Sequence, residues 1–246
     1  MAVGAGLPRV LNIENSLARG MRQASDFLMA MQLTGAAKQT SLSTLQVRMP
    51  AVVIGGGLTA VDAATEMQAY YITQVEKILH RVEILGEDAV RSAIFTPEDQ
   101  EILDEFLTHG REVKAERQRA AEAGEQPNFT PLLHKWGGVL LAYRRTMQES
   151  PAYTLNHEEI TKAFEEGIFY GESLNPKGVG LDKYGHIDRI SFTKNNEDVT
   201  IPARTVLVAA GTSTNTIYAT EHGTLDVEDQ HHFQGYDILG NKVAYD

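Results

Sequence analysis

The residues best suited to chemistry form a glycine-rich segment that follows an apolar stretch at residues 51–54. The segment reads Gly55, Gly56, Gly57, Leu58, Thr59 and Ala60. In such a turn Gly55 permits the tight bend, Gly57 lets the backbone approach a pyrophosphate, and the small Ala60 lets the next helix lie close to the strand. The helix N-terminus then faces the anion. The pattern predicts a phosphate-binding turn, and a purely structural strand-to-helix turn is the alternative.

The helix after the turn must hold it in place, and its apolar pattern is long. Apolar side chains recur at steps of three and four, at Ala64, Met67, Tyr71, Val75, Ile78, Val82 and Leu85. This spacing predicts one helix of about 28 residues that begins at Leu58.

A second helix is expected to begin at Thr96, because threonine caps a helix, Pro97 suits the first helical position and acidic residues follow. We predict that residues 67–134 form a helical hairpin. Its charged face is expected to point to solvent or to a partner, and it carries Arg111, Lys114, Arg117 and Arg119.

The rest of the chain alternates between strand and helix patterns. Helical spacing covers residues 22–33 and 157–166, and strands are predicted at residues 138–143, 168–172, 186–193 and 205–209, the last of which leads to Gly211. Such alternation indicates a parallel sheet with helices on its faces. We therefore predict a Rossmann-like three-layer α/β dinucleotide-binding domain that is interrupted by the helical hairpin.

Composition excludes several classes of protein. The formal net charge of −11 argues against nucleic acid as a partner, and no apolar run approaches the ~18 residues of a membrane span. Because the chain has no cysteine, it can hold no disulfide, thiolate metal site or redox-active dithiol. No acidic pattern organises His231 and His232 into a metal site, and we predict none. The expected location is the cytoplasm.

Four segments, taken in order, resemble the small subunit of glutamate synthase and its FAD-dependent relatives in the pyridine nucleotide-disulfide oxidoreductase superfamily. They are residues 4–13 with 24–28, the glycine segment at residues 53–62, Tyr143-Arg144-Arg145 with residues 150–152 and 163–168, and residues 206–211 with Asn215. In that family the second segment is the NADPH fingerprint, and the first and last connect the NADPH domain to the FAD domain. The helical hairpin is an expansion of the usual family fold.

The resemblance implies an excised central domain of a longer flavoprotein, because the family's FAD fingerprint and iron–sulfur cysteines are absent. Residues 1–48 would be a fragment of the FAD-domain boundary and linker, and residues 49–213 the NADPH-binding domain with a helical insertion at 67–134. Residues 214–246 would return toward the FAD domain. The implied role is to bind NADPH and present its nicotinamide to FAD, held by the flavin domain of the same full-length chain. The isolated chain is expected to be inactive.

The resemblance also assigns residues to the nucleotide. It ends the second strand at Tyr143, which places Arg144 and Arg145 at the adenosine ribose, where guanidinium groups suit the 2′-phosphate of NADPH. Gly211 would line the crevice near the nicotinamide. A competing interpretation makes residues 82–85 the second strand, so that Glu87 would bond the ribose hydroxyls of NADH.

Two further alternatives remain from the sequence. One is a non-catalytic nucleotide-binding or partner-docking module that keeps the dinucleotide fold. The other is a methyltransferase, which also has a glycine turn after its first strand but needs an acidic residue that only a strand at residues 82–88 would supply. The final electron acceptor is not specified by any residue pattern.

Overall fold

The structure is a computed structural model that describes residues 4, 6–223, 225–228 and 232–243. The chain divides into two compact units. The larger unit runs from Leu11 to Ala209, and the smaller unit is formed by the segments before and after it. No helix among these described residues is long and apolar enough to cross a membrane.

In chain order the strands are β1 Leu7–Pro8, β2 Met21–Gln23, β3 Ala51–Ile54, β4 Val139–Ala142, β5 Phe169–Gly171, β6 Asn175–Leu181, β7 Ile187–Lys194, β8 Glu197–Pro202, β9 Thr205–Val208, β10 Thr212–Ser213, β11 Val227–Glu228, β12 His232–Phe233, β13 Gly235–Tyr236 and β14 Lys242–Val243. The helices are α1 Ala24–Thr34, α2 Leu58–Leu85, α3 Glu87–Ser92, α4 Pro97–Ala123, α5 Thr130–Lys135, α6 Pro151–Glu165 and α7 Ile217–His222.

A five-stranded parallel sheet forms the centre of the larger unit, with the strand order β2-β9-β3-β4-β5. Its two central neighbours, β3 and β9, are buried along their whole length. Continuous apolar strands of this kind are typical of parallel sheets that are covered on both faces. The predicted α/β fold with a parallel sheet is therefore present.

The two faces of this sheet are covered by different layers. Val53 and Leu207 point to one face, where they join a core that includes α1, α2 and α6. Val52 and Val206 alternate to the other face and pack with Phe192 of the antiparallel sheet β6-β7-β8. The expectation of helices on both faces is therefore wrong for one face, because an antiparallel sheet forms the third layer.

The helices between β3 and β4 are part of the main core. Helix α2 has 28 residues, as its apolar spacing predicted, and its residues 82–85 are helical rather than a strand. Helix α4 begins after Thr96, whose hydroxyl accepts a hydrogen bond from the Asp99 N–H at 3.0 Å, so this predicted start is confirmed. Tyr71 of α2 and Phe106 of α4 pack edge to face within the same cluster as Val53. The parts of α2 and α4 around Tyr71 and Phe106 are thus continuous with the core that covers the sheet.

The residues directly before the glycine turn pack with the larger unit. Strand β2 pairs with β9, and Phe27 of α1 is buried in the core, so residues 11–48 belong to the same unit as the glycine turn. In the smaller unit β1 pairs with β10 through Leu7 and Ser213, and β11–β12 and β13–β14 form two antiparallel pairs. The residues at 210–213 therefore belong with the C-terminal segment.

Candidate nucleotide-binding site

The glycine turn lies at the point where the strand order of the parallel sheet reverses. From β3 the chain continues to β4 and β5 on one side, and it later returns to β9 on the other side. Gly55 donates its N–H to the Ala142 carbonyl at 3.0 Å, and the Ala209 N–H donates to the Ile54 carbonyl at 2.8 Å. A crevice opens at the carboxyl ends of parallel strands at such a switch point, and this is where ligands of doubly wound folds bind.

Two of the three glycines are required by close packing within the protein. A Cβ atom on Gly55 would lie 2.4 Å from the Ala209 carbonyl oxygen, and one on Gly56 would lie 2.3 Å from the Tyr143 ring. Distances below about 3 Å are not tolerated by real Cβ atoms without a shift of the neighbour. The first two glycines therefore let β9 and Tyr143 approach the turn.

The third glycine, in contrast, faces open space. No atom of the described structure lies within 4 Å of a Cβ built on Gly57, the N-cap residue of α2. No side chain caps this helix, and no described atom accepts a hydrogen bond from the N–H groups of Gly57 or Leu58. Ala60 is fully buried and bonds back to the Gly57 carbonyl at 2.9 Å. The turn thus presents free donors and room for an anion.

A second helix braces the turn from the side. Helix α6 begins at Pro151, and the Ala152 N–H donates to the Gly56 carbonyl at 2.9 Å. Ser150 is its N-cap and is fully buried, with its hydroxyl accepting from the Tyr153 N–H at 3.2 Å. Asn156 has non-helical φ and ψ and divides α6, so the helix predicted at residues 157–166 corresponds to its second part. The first part, which begins with a serine followed by a proline, was missed, although the same cap chemistry located α4.

Arg144 and Arg145 follow β4 at the same edge of the sheet as the glycine turn, since Ala142 pairs with Ile54. Both arginines are exposed, and within the described ranges neither guanidinium forms an ion pair or hydrogen bond. The two differ in their surroundings. Hydrogen bonds from the Thr146 hydroxyl and N–H lower the pKa of Glu149, and the charge of Arg145 adds to this effect. Among the described residues, Arg144 shifts the pKa of no carboxyl group in this way.

The residues of the competing NADH interpretation lie elsewhere. Glu87 stands in α3, and both Arg91 and Arg111 donate to its carboxylate at 2.8 Å. Hydrogen bonds from Arg91, together with the charge of Arg111, lower the pKa of this carboxyl group. Because residues 82–88 contain no strand, they supply no acidic residue at a strand end. The acidic ribose ligand that the NADH and methyltransferase interpretations placed at residues 82–88 is therefore contradicted by the structure.

Gly211 belongs to the smaller unit. Its φ of +92° is in the left-handed region that favours glycine, and its carbonyl accepts from the Arg9 N–H at 3.0 Å. The assignment of Gly211 to the nicotinamide crevice stays a prediction.

The four cations on the charged face of the hairpin all pair with acidic residues in or directly after the helices α2, α3 and α4. Arg111 pairs with Glu87, and the other pairs are Lys114 with Glu83, Arg117 with Glu76, and Arg119 with Glu116 and Glu125. These contacts join α4 to α2 and α3 or lie within and just beyond α4. The positive charge of this face is therefore largely neutralised inside the chain.

Potential metal ligands do not gather in the part of the chain that the structure describes. No group of three or more His, Asp or Glu side chains there is arranged to hold a metal ion. His231 lies outside the described residues.

No model of a known protein family matches the chain. It is 36% identical over 236 residues to an uncharacterized protein of Rickettsia prowazekii, a match that covers 87% of this chain and 31% of that protein. The chain thus spans about a third of the length of this relative.

Several solved structures are similar at low sequence identity. A FAD-dependent pyridine nucleotide-disulphide oxidoreductase from Desulfovibrio vulgaris has a TM-score of 0.48 and 14% identity, covering 93% of this chain and 39% of that one. A ferredoxin reductase from Rhodopseudomonas palustris has a TM-score of 0.46 and 13% identity, covering 92% and 37%. A NAD-dependent persulfide reductase from A. fulgidus has a TM-score of 0.44 and 16% identity, covering 92% and 28%. The chain spans less than half of each of these proteins.

Proposed function

We propose that this chain is the NADPH-binding part of a FAD-dependent oxidoreductase. The observation that carries the proposal is the open position at Gly57, where unpartnered N–H groups start α2 at the switch point of the sheet. Arg144 and Arg145 follow the neighbouring strand, and their guanidinium groups form no ion pair with any described residue. NADPH carries two anionic groups that suit these features. Its pyrophosphate suits the N–H groups at the start of α2, and its 2′-phosphate suits the two arginines.

In this proposal the residues act by binding and orientation. The N–H groups of Gly57 and Leu58 donate to the pyrophosphate, which also benefits from the dipole at the N-terminus of α2. Arg144 donates to the 2′-phosphate of the adenosine ribose, with Arg145 beside it. The bound NADPH supplies a hydride, and a flavin accepts it. Gly211 would line the crevice at the nicotinamide end.

The flavin and its protein are further parts of the proposal. The resemblance of residues 143–145 and 206–211 to glutamate synthase small subunits supports a flavin domain as the partner that receives the nicotinamide. FAD would be bound by that flavin domain within a longer chain. The acceptor beyond the flavin is left open by these residues.

Titration calorimetry of the chain with NADPH and with NADH tests the proposal. We expect NADPH to bind more tightly, and we expect Arg144→Ala to weaken NADPH roughly ten- to a hundredfold while leaving NADH nearly unchanged. Lys194→Ala is the matched control, because Lys194 is an exposed cation at the end of β7 without an ion pair in the described structure. Equal affinity for both nucleotides would overturn the NADPH assignment. No affinity for either would leave a module that does not bind nucleotide.

A further inference from the structure

A cavity of about 340 Å³ lies in the larger unit, beside the edge strand β2. Its lining includes Thr205, the residue at the amino-terminal end of β9. The glycine turn, in contrast, follows the carboxyl end of β3. None of the residues around the glycine turn lines it. Its volume lies at the lower end of the roughly 300–1,000 Å³ that small-molecule pockets occupy.

Apolar side chains form much of the wall of this cavity. They are Phe27 of α1, Leu45 and Val47 of the loop before β3, and Leu207 of β9. All four are buried and belong to the helix-side core of the sheet, and Leu45, at 8%, is the most exposed of them. They make the cavity wall rigid, and Leu45 offers accessible apolar surface to a ligand.

Arg22 brings a positive charge to this apolar surface. It pairs in register with Leu207, and residues paired in this way point to the same face of a sheet, so Arg22 shares the helix side with Phe27. Arg22 is exposed, and no carboxylate binds its guanidinium in the described part of the chain. The other arginine in the wall, Arg19, is already bound by Glu98 at 2.9 Å and by the Tyr184 carbonyl. Arg22 is thus the available cation of the cavity.

The loop over the cavity is held in an unusual conformation. Gln46 has a φ of +50°, which costs free energy for a residue other than glycine. Its neighbours are fixed to α2, since the Leu45 N–H donates to the Tyr70 hydroxyl and the Val47 N–H donates to the Gln74 side-chain oxygen, both at 2.9 Å. These bonds keep Gln46 at the cavity. Its side-chain amide forms no hydrogen bond with any described residue.

His186 closes the polar side of the cavity as a neutral ring. Its Nδ1 donates to the Ile187 carbonyl at 3.0 Å, and burial lowers its pKa. A Cβ on Gly20 would lie 2.6 Å from the His186 ring and 2.8 Å from the Arg204 carbonyl oxygen, so only glycine allows this approach. With its Nδ1 proton committed, the ring offers the lone pair of Nε2 and no charge.

We propose that this cavity binds a small organic anion whose carboxylate pairs with Arg22 and whose apolar body contacts the accessible lining side chains Leu17 and Leu45. The amide of Gln46 donates a second hydrogen bond to the same carboxylate. A charge-assisted pair with a guanidinium fixes the orientation of the ligand, and the apolar wall selects for a hydrocarbon group over a fully polar one. The site is separate from the proposed nucleotide site and does not depend on it.

Calorimetry with benzoate, benzyl alcohol and benzylamine tests this site on the unaltered chain. The three probes share an apolar ring and differ in charge. We expect benzoate to bind, and to bind at least about tenfold more tightly than the other two. Failure of benzoate to bind at concentrations up to about 10 mM overturns the proposal, as does equal binding of benzylamine.

Substitution of Arg22 locates the binding. We expect Arg22→Gln to weaken benzoate at least about tenfold, and the control Lys194→Gln to stay within about twofold of the parent. NADPH titration of Arg22→Gln should match the parent, which separates this site from the nucleotide site. Unchanged benzoate affinity in folded Arg22→Gln overturns the proposal. The comparison of the three probes on the unaltered chain decides the question even where the variant fails to fold.

Discussion

The ring of Tyr143 lies against Gly56, so close that a Cβ atom on this glycine would come within 2.3 Å of it. Tyr143 directly follows β4, and Gly56 belongs to the turn after β3. The parallel pairing of these two strands brings them together, with Ile54 opposite Ala142. The shape of the glycine turn therefore depends on the neighbouring strand as well as on its own residues.

Gly56→Ala is expected to destabilise the chain, because the added methyl group must displace the Tyr143 ring. We expect a loss of about 1–3 kcal/mol in the free energy of unfolding, as for other overpacked sites. In a double-mutant cycle, Tyr143→Ala should remove much of this cost, since the two changes share one contact. Urea unfolding of the four proteins measures it, and strictly additive losses would show that the ring is not the obstacle.

Gly57→Ala provides the opposite case at the next position. A Cβ here meets no described atom within 4 Å, and φ is −94°, so the folded chain should keep its stability to within about 1 kcal/mol. The methyl group would instead occupy the space through which the pyrophosphate approaches the backbone. We expect a drop of about tenfold or more in NADPH affinity by calorimetry. Unchanged affinity would mean that the anion does not lie over Gly57.

The two arginines are expected to contribute unequally to nucleotide preference. The charge of Arg145 contributes to the lowered pKa of Glu149, whereas Arg144 contributes to no such shift among the described residues. We therefore expect Arg144→Ala to reduce the preference for NADPH over NADH more than Arg145→Ala does. Parallel titrations of both variants with both nucleotides give the comparison, and a larger effect of Arg145→Ala would reverse the assignment of roles.

Much of the parallel sheet and of the glycine turn could be predicted from the sequence. Periodicity alone fixed the length of α2, and apolar runs located β3, β4 and β9. Strand β6 was missed because it contains Pro176, Gly178 and Gly180, which are typical of loops. Strand β8 was missed although it forms a hairpin with β7 through a two-residue turn, in which Asn195 and Asn196 both have positive φ. The Tyr143–Gly56 contact could not be predicted, because it depends on how two separate strands align.

His109 is predicted to make the stability of the fold depend on pH. Its ring stacks on Trp136 at 4.1 Å between centroids, and its Nδ1 shares a hydrogen bond with the Tyr71 hydroxyl at 2.6 Å. Burial is the largest influence and lowers the pKa of His109, although Glu105 and Glu112 oppose it and Lys135 adds to it. The folded chain therefore binds a proton at His109 less readily than the unfolded chain does.

The sign of the effect follows from this difference. Below the ordinary histidine pKa of about 6.5 the unfolded chain takes up more protons, so the free energy of unfolding falls as the pH falls. The buried His186 acts in the same direction, because burial also lowers its pKa. Urea unfolding between about pH 5 and 8 should show this decline, and His109→Phe should make it shallower without removing it. A decline as steep as the parent's in His109→Phe would assign the effect to other groups.

Gly110→Ala tests how α4 packs on α2. Alanine favours a helix by up to about 1 kcal/mol over glycine, so an exposed position would gain stability. At Gly110, however, the added Cβ would lie 2.7 Å from the Val75 carbonyl oxygen and 3.0 Å from the Leu79 side chain. Because backbone of α2 is the obstacle, the two helices must separate, and we expect a net loss of about 1–3 kcal/mol in the free energy of unfolding.

The matched control for this variant is Thr108→Ala, an exposed position on the same helix. It changes the helix propensity in the same direction without adding an atom between α4 and α2, so its stability should stay within about 1 kcal/mol of the parent. Urea unfolding followed by circular dichroism compares the two. A gain of stability in Gly110→Ala would mean that α4 does not pack on α2 at this glycine. That result would also separate α4 from the core to which Tyr71 and Phe106 join it.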